Sequence, residues 1–218
     1  LRIGYFAVRY GYLKQTSLYC TKMTIHLHFI LHKPYGYLSQ FINNQNKRKN
    51  KKLLGELNNF PEGTMSIGRL DEDSEGLLLL TTNGKVSELV RSRKVEKSYY
   101  VQVDGLITDE AILQLCNGVE IGIRNKKYQT LPAKAWRLDP PPKFEARSKK
   151  IRHDRHGPTS WLGVSISEGK FRQVRKMTAA VGFPTLRLIR VQIGNIFLND
   201  LRSGNFIEVD QFDLNISK

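Results

Sequence analysis

The chain is predicted to fold as an α+β domain with a mixed, mainly antiparallel sheet flanked by helices and loops. Three observations carry this. "KSYYVQVD" (97–104) and "WLGVSIS" (161–167) alternate with period 2, as half-buried strands do. "TDEAILQLCNG" and "KFRQVRKMTAAVG" carry apolar residues at helical spacing and close on glycine. These strands and helices do not follow a strict βαβ order, which argues against a doubly wound parallel sheet.

From the N-terminus, "LRIGYFAVRYGYLKQTSLYCTK" has four cations, no acids and no clear period, so residues 1–22 are expected to be an extension before a functional start at Met23. "IHLHFILHKPYGYL" alternates through Ile25, Leu27 and Phe29, then meets Pro34 and Gly36: a strand entering a turn. Lys47, Arg48 and Lys49 belong to a run with five cations in six residues and no apolar residue, a solvated loop suited to phosphate contacts. "LLLL" (77–80) is a buried strand. On 97–104, Tyr99, Val101 and Val103 share the core face. Thr108 is the expected N-cap and Gly118 the terminator of a short helix. Three prolines at 140–142 open a long basic loop, about 140–160, carrying Lys149, Lys150 and Arg152. In the next helix, Phe171, Val174, Met177, Thr178 and Val181 share one side, and Arg172, Arg175 and Lys176 the other. Another strand follows, through Leu186 and Leu188 to Ile193. The remainder, 23–215, is expected to be one catalytic domain of two subdomains, with 216–218 a tail.

The 218 residues carry 35 Lys and Arg against 20 Asp and Glu, a formal charge of +15, which points to a polyanionic partner, nucleic acid first. The basic character survives removal of the extension. Two cysteines, Cys20 and Cys116, make neither a disulfide framework nor a zinc site, which fits a cytoplasmic protein. No apolar run approaches the ~20 residues of a membrane span.

Against this charge, Asp71, Glu72, Asp73 and Glu75 crowd five positions. A calcium loop would need a bidentate Glu at its twelfth position, where Thr82 stands, so no metal is expected. Glu72, Asp73 and Glu75 read as turn-forming acids. Asp71, after Gly68, Arg69 and Leu70, is placed to hold a short carboxylate against a cleft wall. Cations from 172–176 would keep it ionised as nucleophile or base.

"GRLDEDSEGLLLLTTNG", "KSYYVQVDG" and "EGKFRQVRKMTAAVGFPTLRLIRVQIG" together resemble the Rsu family of ribosomal RNA pseudouridine synthases. "PTSWL" and "MTAAVGFPTLRLIR" are most similar to the E subgroup, which acts on large-subunit rRNA. The resemblance implies the pseudouridine synthase catalytic fold with a cleft active site. It makes Asp71 the catalytic aspartate, Arg69 its motif neighbour, and Lys97 and Tyr99 the K-x-Y motif, with Tyr99 stacking on uracil. Arg172, Gln173, Val174 and Arg175 fall on the R-Q-V-[RK] motif, and Arg175 resembles the basic partner of the aspartate. Family members commonly read E-G-R-N-R-Q-V-R-R-M, whereas Lys170, Phe171 and Lys176 stand here. Uridine isomerisation needs no cofactor, since no electrons or groups are exchanged. The expected partner is rRNA or a pre-ribosomal particle, bound by a monomer without an S4 domain. The alternatives are a non-catalytic RNA-binding or ribosome-assembly protein that keeps the fold, and an RNA N-glycosidase.

Overall fold

The computed structural model describes residues 26–42, 50–92, 95–152 and 154–214. The expected extension, the tail and Lys47, Arg48 and Lys49 lie outside them. In chain order the elements are β1 (His28–Lys33), β2 (Tyr37–Leu38), β3 (Lys52–Leu53), β4 (Met65–Ile67), β5 (Glu75–Thr81), α1 (Gly84–Ser92), β6 (Lys97–Asp104), α2 (Asp109–Asn117), β7 (Glu120–Ile123), β8 (Lys126–Gln129), β9 (Lys134–Arg137), β10 (Thr159–Ile166), α3 (Gln173–Ala180), β11 (Thr185–Ile193), β12 (Ile196–Phe197) and β13 (Phe206–Val209). The main sheet has nine strands, ordered β13-β1-β5-β11-β6-β10-β9 with β4 on β5 and β12 on β11. All its pairs are antiparallel except β5 with β11. This is the expected α+β architecture.

β5 explains the "LLLL" run. Leu77 and Leu79 enter one hydrophobic cluster, Leu78 and Leu80 another on the opposite face, and all four are fully buried. A strand covered on both sides reads as a continuous apolar run. β1, between β5 and β13, is packed on both faces, with Ile30 in one cluster and Phe29 and Leu31 in the other, and all six of its residues are buried, beyond what alternation predicts. Gly76, the second residue of β5, has φ +103°, and a Cβ there would lie 2.3 Å from the Arg190 carbonyl oxygen. Glycine is what lets β5 approach β11 there.

On β6, Tyr99, Val101 and Val103 pack with Leu162, Val164 and Ile166 of β10 and Leu188 of β11, as the alternation predicts. α2 begins at Thr108, whose Oγ1 accepts from the Ala111 amide at 3.2 Å, and closes at Gly118, φ +85°. It docks through Ala111 and Leu115.

α3 corrects the helical reading of 170–182. It starts at Gln173, and Arg172 precedes it in the left-handed region, φ +53°. Val174, Met177 and Thr178 are buried as expected, but Phe171 is 68% exposed because the chain has turned before it can join the packed face.

The 138–158 segment is largely irregular, with one short 3-10 turn at Asp154–His156. It is nonetheless tied to the body. Phe144 packs with Trp161 and Tyr100, and Arg147 lies 4.5 Å over the Tyr35 ring. No helix among the described residues is long and apolar enough to cross a membrane.

Candidate active site

The acidic stretch forms a turn between β4 and β5, closed by the Ser74 amide on the Asp71 carbonyl at 3.1 Å. Its entry is fixed by Ser39, whose hydroxyl donates to the Leu70 carbonyl at 2.9 Å and accepts from the Leu70 amide at 3.0 Å. The Gly36 amide holds the Glu72 carbonyl at 2.8 Å. The residue before and the residue after Asp71 are thus clamped from outside, which fixes its backbone.

The acids take different partners. Glu72 pairs with Lys51 at 2.6 Å. Glu75 enters the core and receives Nε and Nη2 of Arg187 at 2.9 and 2.7 Å. Asp73 is gripped by both terminal nitrogens of Arg172 at 2.8 and 2.7 Å. Asp71 is held more loosely, with Arg172 Nη1 at 3.6 Å. Of the four, it is the one that lines a cleft together with Tyr99.

That cleft, about 440 Å³, brings together Asp71, Lys97, Tyr99, Arg172, Gln173 and Arg190. Arg69 lines it from an exposed position. Tyr99 is 8% exposed on the core side of β6. Gln173 sets the turn before α3: its Oε1 accepts from the Lys170 amide at 2.9 Å and its Nε2 donates to Glu168 at 2.5 Å.

Arg175 corrects the expected pairing. Its Nη2 donates to the Asp73 carbonyl at 2.7 Å and the Ser74 hydroxyl at 3.2 Å, and it reaches Asp73 Oδ2 at 3.5 Å. The cation nearest Asp71 is Arg172, because the left-handed turn aims that side chain back over the acidic loop. Lys176 leaves the site as well: it binds the Gly122 carbonyl at 2.6 Å and covers the Phe171 ring at 5.3 Å.

Burial pushes the Asp71 carboxyl above the ordinary aspartate range. Arg172 pulls it down, Asp73 pushes it further up, and Arg175 and Lys33 oppose the rise. Burial also acts upward on Asp73, but the hydrogen bonds from Arg172 and the Arg175 charge win and hold it low. The two neighbours are therefore driven apart, one toward a basic carboxylate and the other toward a permanent counterion. Beneath the turn lies Lys33, fully buried, its ammonium donating to the Pro34 and Tyr37 carbonyls at 2.9 and 2.7 Å. Burial lowers its pKa to about 7 against the pull of Glu75 and the turn acids.

Lys149, Lys150 and Arg152 line a separate cavity of about 400 Å³ with Arg147 and Arg187. Arg152 is engaged there with Asp104 at 2.7 Å and with the Gly157 and Pro158 carbonyls. Sequence reasoning missed Lys33, Glu168 and Arg190. For Arg190 a signal existed, since it shares strand parity with the core residue Leu188. Among the described residues no His, Cys, Asp and Glu cluster could hold a metal ion.

Residues 27–180 match the family described as RNA pseudouridylate synthase. A ribosomal large subunit pseudouridine synthase E of Vibrio parahaemolyticus is 41% identical over 183 residues, 83% of this chain and 72% of that protein. Its namesake in Xanthomonas axonopodis pv. citri is 42% identical over 174 residues, 79% of this chain and 88% of that protein. A ribosomal large subunit pseudouridine synthase B of Bacillus subtilis is 32% identical over 185 residues, 84% and 68% of the two chains. A crystal structure of a pseudouridylate synthase superposes with a TM-score of 0.66 at 27% identity, over 84% of this chain and 70% of that one.

Proposed function

The chain belongs to the RNA pseudouridylate synthase family and is an RNA isomerase, and we propose that it converts a uridine of large-subunit rRNA to pseudouridine, with Asp71 acting on the ribose of an extruded nucleotide. The observation that carries the residue assignment is the shared cleft: Asp71 and Tyr99 line one cavity of about 440 Å³, with Arg172 at 3.6 Å from the carboxylate. The volume lies in the range of small-ligand sites, ~300–1,000 Å³.

The chemistry follows from the substrate. The bond from N1 to C1′ must break, the uracil must turn, and C5 must bond to C1′ before giving up its proton. A base stacked in a helix exposes none of these atoms, so the nucleotide leaves the stack. The Tyr99 ring replaces lost stacking, worth roughly 1–3 kcal/mol per base. Asp71 serves either as the nucleophile at C1′ or as the base that removes a ribose proton. Its upward-shifted pKa strengthens it in both roles, and Arg172 stabilises the ionised form that each requires. Arg175 fixes the turn through the Asp73 carbonyl and Ser74, and Gln173 fixes the approach to Arg172. Both are positioning residues on this reading.

Affinity for the backbone comes from two basic segments, Lys47, Arg48 and Lys49 together with Arg147, Lys149 and Lys150. Phosphate contacts of this kind position the RNA without reading its sequence and weaken steeply with salt. Arg69, on the rim, contacts the strand next to the target. One copy of the catalytic domain, acting in the cytoplasm on rRNA or an assembling particle, suffices.

The test is pseudouridine mapping in large-subunit rRNA from a strain lacking the gene, complemented with wild type or with Asp71→Asn. The proposal expects one missing pseudouridine, restored by wild type only. Restoration by the variant removes Asp71 from the chemistry, an rRNA with no missing position refutes the substrate, and release of free uracil makes the enzyme a glycosidase.

A further inference from the structure

Arg190 is a buried cation that the isomerisation described above does not use. It is 4% exposed, on the central strand β11, and lines the Asp71 cleft. Its Nε donates to the Leu77 carbonyl at 2.7 Å, while Nη2 is buried with no acceptor. Among the described residues no carboxylate forms an ion pair with it, in contrast to Arg187 three positions earlier, which is locked onto Glu75. A buried charge without a counterion destabilises a fold and is retained where something else uses it.

Its neighbours indicate the use. Arg190 is the cross-strand partner of Tyr99 in the antiparallel β6–β11 pair. Side chains directly opposite in such a pair stand on the same face, with Cβ atoms roughly 4.5–5.5 Å apart. Lys97, two residues from Tyr99 on that face, also lines the cleft. It donates to the Val95 carbonyl at 2.7 Å, and burial first, then the Arg190 charge, lowers its pKa. The wall around the Tyr99 ring therefore carries two cations, and the acid Asp71 lines the same cleft from the turn before β5. The cleft is built for a ligand that bears negative charge against Tyr99 and is attacked from the side of Asp71.

We propose that Arg190 is a catalytic residue that holds the uracil as it becomes an anion. Whichever way Asp71 acts, the N1–C1′ bond breaks with its electron pair going to N1, and the charge spreads over N1 and the two carbonyl oxygens of the ring. With the base lying on Tyr99, the unsatisfied N–H of Arg190 donates to the base atom that takes up this charge, and Lys97 adds to the field. When C5 then bonds to C1′ with the electron pair of the anion, Asp71 leaves C1′ as a carboxylate on the nucleophile route or returns the ribose proton on the base route; the ring is neutral again, loses its C5 proton and takes one at N1, and the guanidinium is released unchanged. A donor aimed at developing charge in a desolvated site acts on kcat more than on binding.

This inference rests on the proposed isomerisation, and its test separates the two. Single-turnover conversion of a target rRNA fragment is measured by mass spectrometry for wild type, Asp71→Asn, Arg190→Met, Arg190→Gln and Arg190→Lys, with RNA affinity and thermal midpoint alongside. Arg190→Met is expected to lose about 100-fold or more in rate, the scale of a lost oxyanion donor, with RNA affinity within about 2-fold of wild type. Arg190→Lys keeps the charge and regains about 10-fold of that loss. Should Arg190→Met be too unstable, Arg190→Gln, able to keep the Leu77 bond without the charge, is expected to show the same kinetic loss. Full activity in Arg190→Met or Arg190→Gln beside an inactive Asp71→Asn overturns this inference alone, as does a loss confined to RNA affinity. A wild type that forms no pseudouridine overturns both readings.

Discussion

Replacing Arg172 with methionine tests how Asp71 is kept reactive. Arg172 Nη1 lies 3.6 Å from Asp71 Oδ2, and the same guanidinium makes bonds of 2.8 and 2.7 Å to Asp73. At that separation the attraction between unit charges is about 1 kcal/mol at the dielectric of water and about 4–5 kcal/mol at an effective value of 20. The two side chains are 34% and 27% exposed, so solvent screening draws the figure toward the lower end, about 1–2 kcal/mol. Arg172 is the largest influence lowering the Asp71 pKa, and burial already pushes it up. Removing the cation therefore raises it further, and the acid limb of the pH–rate profile moves to higher pH. The folded carboxyl then keeps its proton over a wider interval in which the unfolded chain has lost it, so the fall in stability as pH rises through that window extends to higher pH. The assay is single-turnover conversion of a target RNA from acid to neutral pH for wild type, Arg172→Met and Arg172→Lys. The lysine variant keeps a charge without the two-pronged grip and falls between the others. An acid limb at the same pH in all three would refute this electrostatic assignment.

Three further outcomes are expected. Lys33 has its pKa lowered from 10.5 to about 7 in the fold, so the unfolded chain binds more protons between those values and stability rises with pH across them; urea unfolding at several pH values should show this slope, and Lys33→Met should flatten it. Gly76→Ala brings a Cβ to 2.3 Å from the Arg190 carbonyl at φ +103°; the strain alone is ~1–3 kcal/mol before any clash, and a thermal midpoint equal to wild type would contradict the close β5–β11 approach. Phe171→Ser should change stability by no more than about 0.5 kcal/mol, since the ring is 68% exposed; a core-sized loss in denaturant unfolding would restore it to the packed face of α3.

Period-2 patterning located β6, β10 and β11 because each presents one apolar face to the core that holds Tyr99, Leu162 and Leu188. The Thr108 cap and Gly118 stop were equally legible, since both act through local backbone geometry. The 170–182 segment was not. A helical projection assumes helical dihedrals throughout, and Arg172 leaves them at φ +53°, which turns Phe171 outward and brings Arg172 rather than Arg175 nearest Asp71. No spacing rule encodes that turn, which is held by the long-range grip of Arg172 on Asp73. Lys33 and Arg190 escaped for a related reason: charge in a sequence reads as solvent exposure, yet strands covered on both faces bury whatever they carry. The division of roles among the acids was legible only in part. Asp71 stood out by its motif, whereas the partners that occupy Glu72, Asp73 and Glu75 come from Lys51, Arg172 and Arg187, distant in the chain.

The role of Asp71 is tested most directly by a structure of the Asp71→Asn variant bound to an rRNA fragment containing the target uridine. The expected result is an extruded uracil lying on the Tyr99 ring, with the side chain at position 71 about 3–3.5 Å from the ribose atom it would attack or deprotonate. A target base bound elsewhere, with position 71 turned to bulk solvent, would contradict it.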